Sequence, residues 1–367
     1  MPQLDQDFIR LPQSVKVRFA LEPVGNALNS LCLINSVEDL SGLDAWVTRT
    51  AAALTSEQLH TNRVVCEGLH YATYPDKAWP DFPAYLDALA VQDPLVLRDQ
   101  LLRAYARIGQ KAARDRGDTT PLPGQRELLA SLETFLTYLK ANFSHFDVSI
   151  ETEAHALLND PPAMQSLIVS HLRVMWDRFM AREWERVKPM LQESVYAFQQ
   201  LDFTGKTPVE IARAIDPALA EKWEKWEPFI AQAEQVLFVP SAHLGPYASK
   251  FVGERVFVVF FGARLPEGTR VSSPALTRAE LLVRLSALAD DTRLSILDLL
   301  TQHGELYAQD IMTRLDLSQS AASRHLRQLS ATGYVIERRC EGAKCYRLNR
   351  DRFRNTIRAL EQFLDLI

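Results

Sequence analysis

Cysteine is scarce in this chain of 367 residues: four occur, at positions 32, 66, 340 and 345. They are too few and too scattered for a disulfide framework in a chain of this size, which fits a reducing cytoplasm. Long hydrophobic runs are missing too. A stretch such as Val256 to Phe261 is far below the roughly 20 residues needed to span a bilayer, so no membrane association is expected. No Gly-x-Ser-x-Gly, His-Glu-x-x-His, Gly-x-x-x-x-Gly-Lys or Gly-x-Gly-x-x-Gly motif is present in working form. His60, His70, His145, His155, His171 and His243 are dispersed. No catalytic residue, metal ligand or cofactor is therefore assigned, and an enzyme is not expected.

Hydrophobic residues make up 47% and charged residues 24%, the balance of a globular protein rather than a disordered or fibrous one. The length allows two or three domains, each with its own core. The first residues, Met-Pro-Gln-Leu-Asp-Gln-Asp, carry acid where a secretory signal needs base followed by an apolar stretch, so export is not expected. Net charge is −5, which looks wrong for a nucleic-acid binder until the charge is located. Arg324, Arg327, Arg338, Arg339, Lys344, Arg347 and Arg350 face only Glu337 and Glu341 between 318 and 350. The basic footprint is local, and the acidic remainder discourages the rest of the molecule from lying on a polyanion.

Along the chain, Val15 to Leu21 alternates as a half-buried strand does, and 41 to 231 is mostly helical. The strongest helix runs from about 163 to 200, where Pro189 predicts a kink or break. Strand character returns at 236 to 239, 247 to 252 and 255 to 261. A small sheet, joined by the early strand, is expected to close a helix-rich N-terminal domain over 1–263. Residues 264–276, rich in turn formers, read as a linker, and 277–367 as a second domain. The fold class expected is mainly α with small β-sheets (α+β).

In the C-terminal domain Thr277 and Glu280 have capping-box spacing. Asp291 opens a helix with Leu294, Ile296, Leu297 and Leu300 as its apolar face, and Gly304 ends it. A third helix covers about Tyr307 to Leu315, and Ser318 is placed to cap a fourth. On that fourth helix Ala322, Leu326 and Leu329 share one face, while Ser320, Ser323, Arg324 and Arg327 share the opposite one. Small hydroxyls and guanidiniums are the groups a major-groove helix uses, and Gln319 adds a contact suited to adenine. His325 lies on the flank, where helix packing with an occasional phosphate contact is expected. Two strands, Tyr334 to Arg339 and Tyr346 to Leu348, then make a basic hairpin. Its Arg339, Lys344 and Arg347 suit phosphate or minor-groove contact.

Helix, short turn, helix and basic wing define a winged helix-turn-helix. The segment resembles the DNA-binding domain of ArsR/SmtB-type bacterial transcriptional regulators. The likeness rests on Ala289 to Arg293 with Ile296-Leu297, Gly304-Glu305-Leu306, Leu317 to Leu326, Gly333-Tyr334-Val335 with Arg338-Arg339, and Tyr346-Arg347-Leu348. It covers about a quarter of the chain. It implies a homodimer built by the first and last helices of the domain, through Leu281 and Leu285 and through Phe353, Ile357, Leu360 and Leu364. The steps from Phe353 to Ile367 are those of a coiled-coil seam. Two recognition helices would then meet successive major grooves about 34 Å apart on a palindromic operator in double-stranded DNA.

One departure from the family matters. Its metal sensors carry Cys-x-Cys within Glu-Leu-Cys-x-Cys-Asp, whereas the same frame here reads Glu305-Leu306-Tyr307-Ala308-Gln309-Asp310. Tyrosine and glutamine are not soft-metal ligands, and the last helix has no His or Cys, so metal sensing is not expected. Cys340 and Cys345 flank the wing turn and read as ordinary surface thiols, the alternative being a reversible cross-strand disulfide.

The N-terminal domain holds all six tryptophans, Trp46, Trp79, Trp176, Trp184, Trp223 and Trp226. Filling a helical core and lining a cavity for a small organic effector are both readings of them. The function expected is a transcriptional regulator, most simply a repressor, modulated through this domain. The alternative is a DNA-binding scaffold whose N-terminal domain docks a protein partner.

Overall fold

The computed structural model describes residues 15–75, 77–143, 146–266, 274–340 and 342–364. Glu341, Ile367 and residues 267–273 of the expected linker lie outside them. The chain is mainly helical with two small sheets, as its periodicities predict.

The larger, N-terminal body is organised on four strands: β1 (Lys16–Phe19), β2 (Gln235–Ser241), β3 (Ala248–Val252) and β4 (Val256–Gly262), in the order β1-β2-β4-β3. β1 runs parallel to β2, with Lys16 opposite Gln235 and Phe19 opposite Phe238, and β2 parallel to β4. β3 returns antiparallel along β4. Side chains alternate between faces of a strand, and here both faces are covered. Val236, Phe238, Phe257, Val259 and Phe261 pack with Phe19, Phe198, Trp223 and Trp226 on one side. Leu237, Val239, Val258 and Phe260 pack into the main helical core on the other. Burial on both sides explains why β4 reads as an unbroken apolar run, each large side chain contributing about 1.5–3 kcal/mol of burial.

Five helices of the body matter below: α1 (Pro23–Leu33), α2 (Ala45–Ala53), α3 (Pro94–Asp115), α4 (Pro161–Met175) and α5 (Ala181–Gln199). The long helical stretch predicted near 163 to 200 is α4, a π-helical turn at Trp176–Met180, and α5. Pro189 lies inside α5 without ending it; regularity is lost at the π turn instead. The tryptophans are spread over packed clusters rather than gathered around one cavity. Trp46 belongs to the main core, Trp184 packs with Val187 and Leu191, and Trp223 and Trp226 lie under the sheet.

The C-terminal domain contains α6 (Pro274–Leu288), α7 (Asp291–His303), β5 (Glu305–Tyr307), α8 (Ala308–Leu315), α9 (Gln319–Ala331), β6 (Val335–Cys340), β7 (Ala343–Leu348) and α10 (Arg350–Phe363). Helix α6 starts at Pro274, earlier than the capping-box spacing at Thr277 and Glu280 suggests. Asp290 caps α7 by accepting the Arg293 N–H at 2.9 Å, and Gly304, at φ 80°, ends it. The sheet order is β5-β7-β6. Ile296, Leu297, Leu300, Leu326, Leu329, Tyr334 and Tyr346 form a separate core. Leu294, expected on the apolar face of α7, is 50% exposed. Arg293 is buried in its stead, its guanidinium donating to the carbonyls of Ala287 (2.6 Å) and Ser286 (2.9 Å). It thereby satisfies the orphan acceptors at the end of α6.

Candidate nucleic-acid interface

Ser318 caps α9 through its hydroxyl, which accepts the Ala321 N–H at 3.3 Å. Ala322, Leu326 and Leu329 turn into the core. That leaves Gln319, Ser320, Ser323, Arg324 and Arg327 on the outward face, all exposed. Among the described residues Arg324 has no hydrogen bond or ion pair, so its planar fork of donors is free. The wing adds charge beside this face. Arg339 and Lys344 are direct register partners across β6 and β7, a like-charge pair that a phosphate would relieve. Lys344 is held 2.8 Å from Glu337, and Arg338 pairs with Glu305 of β5. Arg347 is exposed on β7.

His325 packs, in keeping with its flank position on α9. It is 6% exposed, with Nδ1 3.5 Å from an Asp290 carboxylate oxygen and without a hydrogen bond. Burial, then Arg293 and Arg324, lower its pKa against the opposing pull of Asp290. Its ring is covered by its neighbours, which makes the flank position a packing position in this structure.

The inner end of α9 meets the N-terminal body. Arg327 Nη1 donates to the Asp39 carbonyl at 3.0 Å. The Ser41 hydroxyl donates to Gln328 Oε1 at 2.5 Å, and Gln328 is 1% exposed. No local signal announces these contacts, because they depend on how two separately cored units dock. Thus the N-terminal half of the recognition helix is open and its C-terminal half is clamped.

The residues expected to build a dimer divide. Leu281 is buried, while Leu285 and Leu360 are half-buried. Phe353 packs within the domain on Tyr334, ring centroids 4.6 Å apart. Ile357 (58% exposed) and Leu364 (54%) stand out to solvent, as does Leu282 on α6. The stripe is therefore part intradomain core and part uncovered face.

Cys340 and Cys345, expected as free thiols, are joined by a disulfide across the wing, with Cα atoms 5.9 Å apart. The hairpin geometry brings them together: Cys345 sits opposite Arg338, two residues from Cys340 along β6, so the two cysteines are diagonal neighbours on one face of the hairpin. Their sulfurs and the Glu305 carboxylate lie within 4.8 Å of one another, but Glu305 is engaged by Arg338.

A second polar cluster, missed in the sequence because its members are far apart, lies inside the body. Ser30 on α1 hydrogen-bonds His243 Nδ1 at 2.7 Å, and His243 Nε2 lies 3.0 Å from Glu183 of α5. The order hydroxyl, imidazole, carboxylate is that of an acyl-transfer relay. Here, however, Ser30 is 2% and His243 3% exposed, and Trp46 stacks on the imidazole at 4.6 Å. The cluster ties α1, α2, α5 and the loop after β2 together. Burial raises the Glu183 pKa, but the hydrogen bonds from His243 and Arg186 outweigh it and hold it at about 2, against an ordinary 4.5. A depressed carboxylate contributes stability that is fully present above pH 4.5 and lost as pH falls toward 2. Urea midpoints measured across that window should fall for the natural protein, and Glu183→Gln should flatten this part of the profile.

The geometry on α9 and the wing defines the class: a winged helix-turn-helix unit of the nucleic-acid-binding kind. Residues 290–337 match the family described as bacterial regulatory protein, arsR family, so the C-terminal region carries an arsR-family helix-turn-helix. The chain is 45% identical over 62 residues to the arsenical resistance operon repressor of Escherichia coli (strain K12), covering 17% of this chain and 53% of that protein. It is 42% identical over 62 residues to the arsenic resistance transcriptional regulator ArsR1 of Pseudomonas putida, covering 17% and 48%. The chain thus spans about half the length of the curated relatives it matches, and the N-terminal body lies outside the match. No solved structure matches the chain significantly. Among the described residues no helix is long and apolar enough to cross a membrane.

Proposed function

We propose that this protein is a cytoplasmic, non-enzymatic transcriptional regulator that binds a palindromic operator as a homodimer and acts as a repressor. Its N-terminal body over 1–263 would serve as the sensor, joined by 264–276 to the winged domain at 277–367. The observation that carries the reading is the unpaired Arg324 on an open recognition face, beside Gln319, Ser320 and Ser323 and flanked by the Arg339, Lys344 and Arg347 wing. Tyr307 and Gln309 at the thiolate frame argue against metal sensing there. Selection of bound duplexes from a random pool should enrich two inverted half-sites 10 to 10.5 base pairs apart, centre to centre, or a multiple of that. An unenriched pool overturns the reading.

Dimerisation is supported by the uncovered apolar side chains of α6 and α10. The double substitution Ile357→Glu with Leu364→Glu should shift the protein to monomer in sedimentation velocity and weaken operator binding at least tenfold, while leaving the fold by circular dichroism unchanged. A dimer persisting in that variant would move the interface elsewhere.

One observation favours the scaffold reading as well. Val91 (85% exposed) ends the helix before α3, and Leu95 (48%) and Val96 (45%) lie in the first turn of α3, uncovered apolar side chains of the kind that receive a protein partner. Val91→Asp with Leu95→Asp would abolish capture of such a partner and leave effector response untouched.

A further inference from the structure

The body and the winged domain enclose a cleft of about 50 Å³ between them. From the body it is lined by Asp216, Ser241, Gly245 and Arg264, and from the winged domain by Glu280, Arg284, Thr332 and Arg352. Three guanidiniums in one small cleft require an explanation. Arg264 has one: it donates to Asp216 at 2.5 Å and to the Gly262 carbonyl at 3.1 Å. Arg352 is only partly satisfied, its Nε donating to the Thr332 carbonyl at 2.7 Å while its terminal nitrogens have no partner among the described residues. Arg284 has no side-chain hydrogen bond or ion pair there at all. Glu280, which would be the natural counter-charge, makes none either. Burial raises its pKa against the pull of Arg264, Arg284 and Arg352, which favours the protonated form. Burial lowers the Arg352 pKa, and the nearby Arg284 adds to it.

We propose that this interdomain cleft binds a small oxyanion, the carboxylate of a compact organic acid or an inorganic phosphate, between Arg284 and Arg352. Planar guanidiniums with free terminal N–H groups match such anions in a paired, directional way that lysines do not. Arg264, Arg284 and Arg352 outnumber the carboxylates of Asp216 and Glu280 in the lining, so the cleft keeps a positive balance for the guest. The volume sets the size of the guest: at roughly 10–15 Å³ per water centre, the cleft has room for a few non-hydrogen atoms beyond its mouth and excludes a bulky effector.

The position gives the guest a consequence. Thr332 is the C-cap of the recognition helix α9, and Arg352 holds its carbonyl. On the body side, Gly245 packs so closely on Gly42 that a Cβ there would lie 2.1 Å from the Gly42 carbonyl oxygen. Gly42 in turn lies against Gln328, beside the Ser41 clamp. An anion held by α6 and α10 lies beside the C-cap of the helix that reads DNA and faces Ser241 and Arg264 of the body across the cleft, so its binding is coupled to how the two units dock. This inference rests on the regulator reading for its biological meaning, though not for the binding itself.

The test uses the full chain in HEPES at constant ionic strength. Sodium pyruvate, sodium phosphate and sodium chloride are titrated by differential scanning fluorimetry and calorimetry. Pyruvate or phosphate should raise Tm in a saturable way that chloride does not reproduce, and whichever does so identifies the kind of oxyanion. Arg284→Ala should weaken that binding at least tenfold. It should leave the ligand-free Tm nearly unchanged, since Arg284 holds no partner with its side chain. Arg352→Lys, which keeps the charge and loses the fork, should also weaken it. Equal stabilisation by chloride, no saturable response, or unchanged binding in Arg284→Ala overturns the proposal. Operator binding measured on the same samples separates the two readings: DNA bound without any anion response removes the cleft alone, and an anion response without DNA binding removes the regulator alone.

Discussion

Arg324→Ala is expected to lower operator affinity by about five- to 150-fold, the loss of about 1–3 kcal/mol carried by a bidentate base contact. The side chain projects from the open half of α9 and has no partner of its own, so its removal leaves no buried group stranded and stability should stay within about 0.5 kcal/mol. Gel-shift titrations against single-base operator variants check both the size and the kind of effect. A loss concentrated at one base pair marks Arg324 as a reader of sequence. A uniform loss, with a salt dependence shallower by about one counterion, marks it as a phosphate contact. Affinity unchanged on every variant would remove α9 from the interface. Arg327 serves as the internal comparison: its Nη1 is already engaged by the Asp39 carbonyl, so Arg327→Ala should cost less in binding and disturb docking more.

Gly245→Ala is expected to have the largest effect on stability. Its φ is +59°, a left-handed conformation that costs a residue with a side chain about 1–3 kcal/mol. The added methyl would meet backbone, 2.1 Å from the Gly42 carbonyl oxygen and 3.0 Å from its carbon. Backbone cannot swing aside as a side-chain tip can, so the two contributions add and a total near 3 kcal/mol or more is expected. Guanidinium unfolding should show a lower midpoint. Gly42→Ala provides the contrast: its φ of +83° carries the same left-handed cost, but the atom met there is Gln328 Nε2, at 2.3 Å, at the end of a side chain rather than in the backbone. That variant should be milder overall, break the Ser41–Gln328 contact, and raise proteolytic sensitivity between the body and the winged domain. Equal destabilisation by both substitutions would contradict the packing at Gly245.

Much of the recognition unit was legible because local rules act there without competition. Hydroxyl capping at Ser318, helical spacing of Ala322, Leu326 and Leu329, and the glycine ending α7 all lie within a few residues of the atoms they serve. What escaped is non-local. Arg293, to which the sequence pattern assigns no packing role, is buried because the turn between α6 and α7 brings the carbonyls of Ser286 and Ala287 beside it. Leu294 reads as core and is exposed on the same helix for the complementary reason. Spacing places His325 on the flank, and its packing beside Asp290 agrees with that, though the Asp290 contact itself has no local signal. Phe353 carries the seam spacing, but Tyr334 takes it into the domain. The arginine cleft could not be read at all, since its charges come from α6, α10 and the segment after β4.

The parallel pairing of β1 with β2 places the partner of Lys16 at Gln235. During synthesis, β1 must therefore wait for more than half of the chain to leave the ribosome before it gains a neighbour. Such late, long-range closure makes folding slow and leaves strand edges open meanwhile. The winged domain follows the sheet in the chain. Its docking surface exists only after the sheet has closed, which places the assembly of the clamp and the cleft at the end of the folding path.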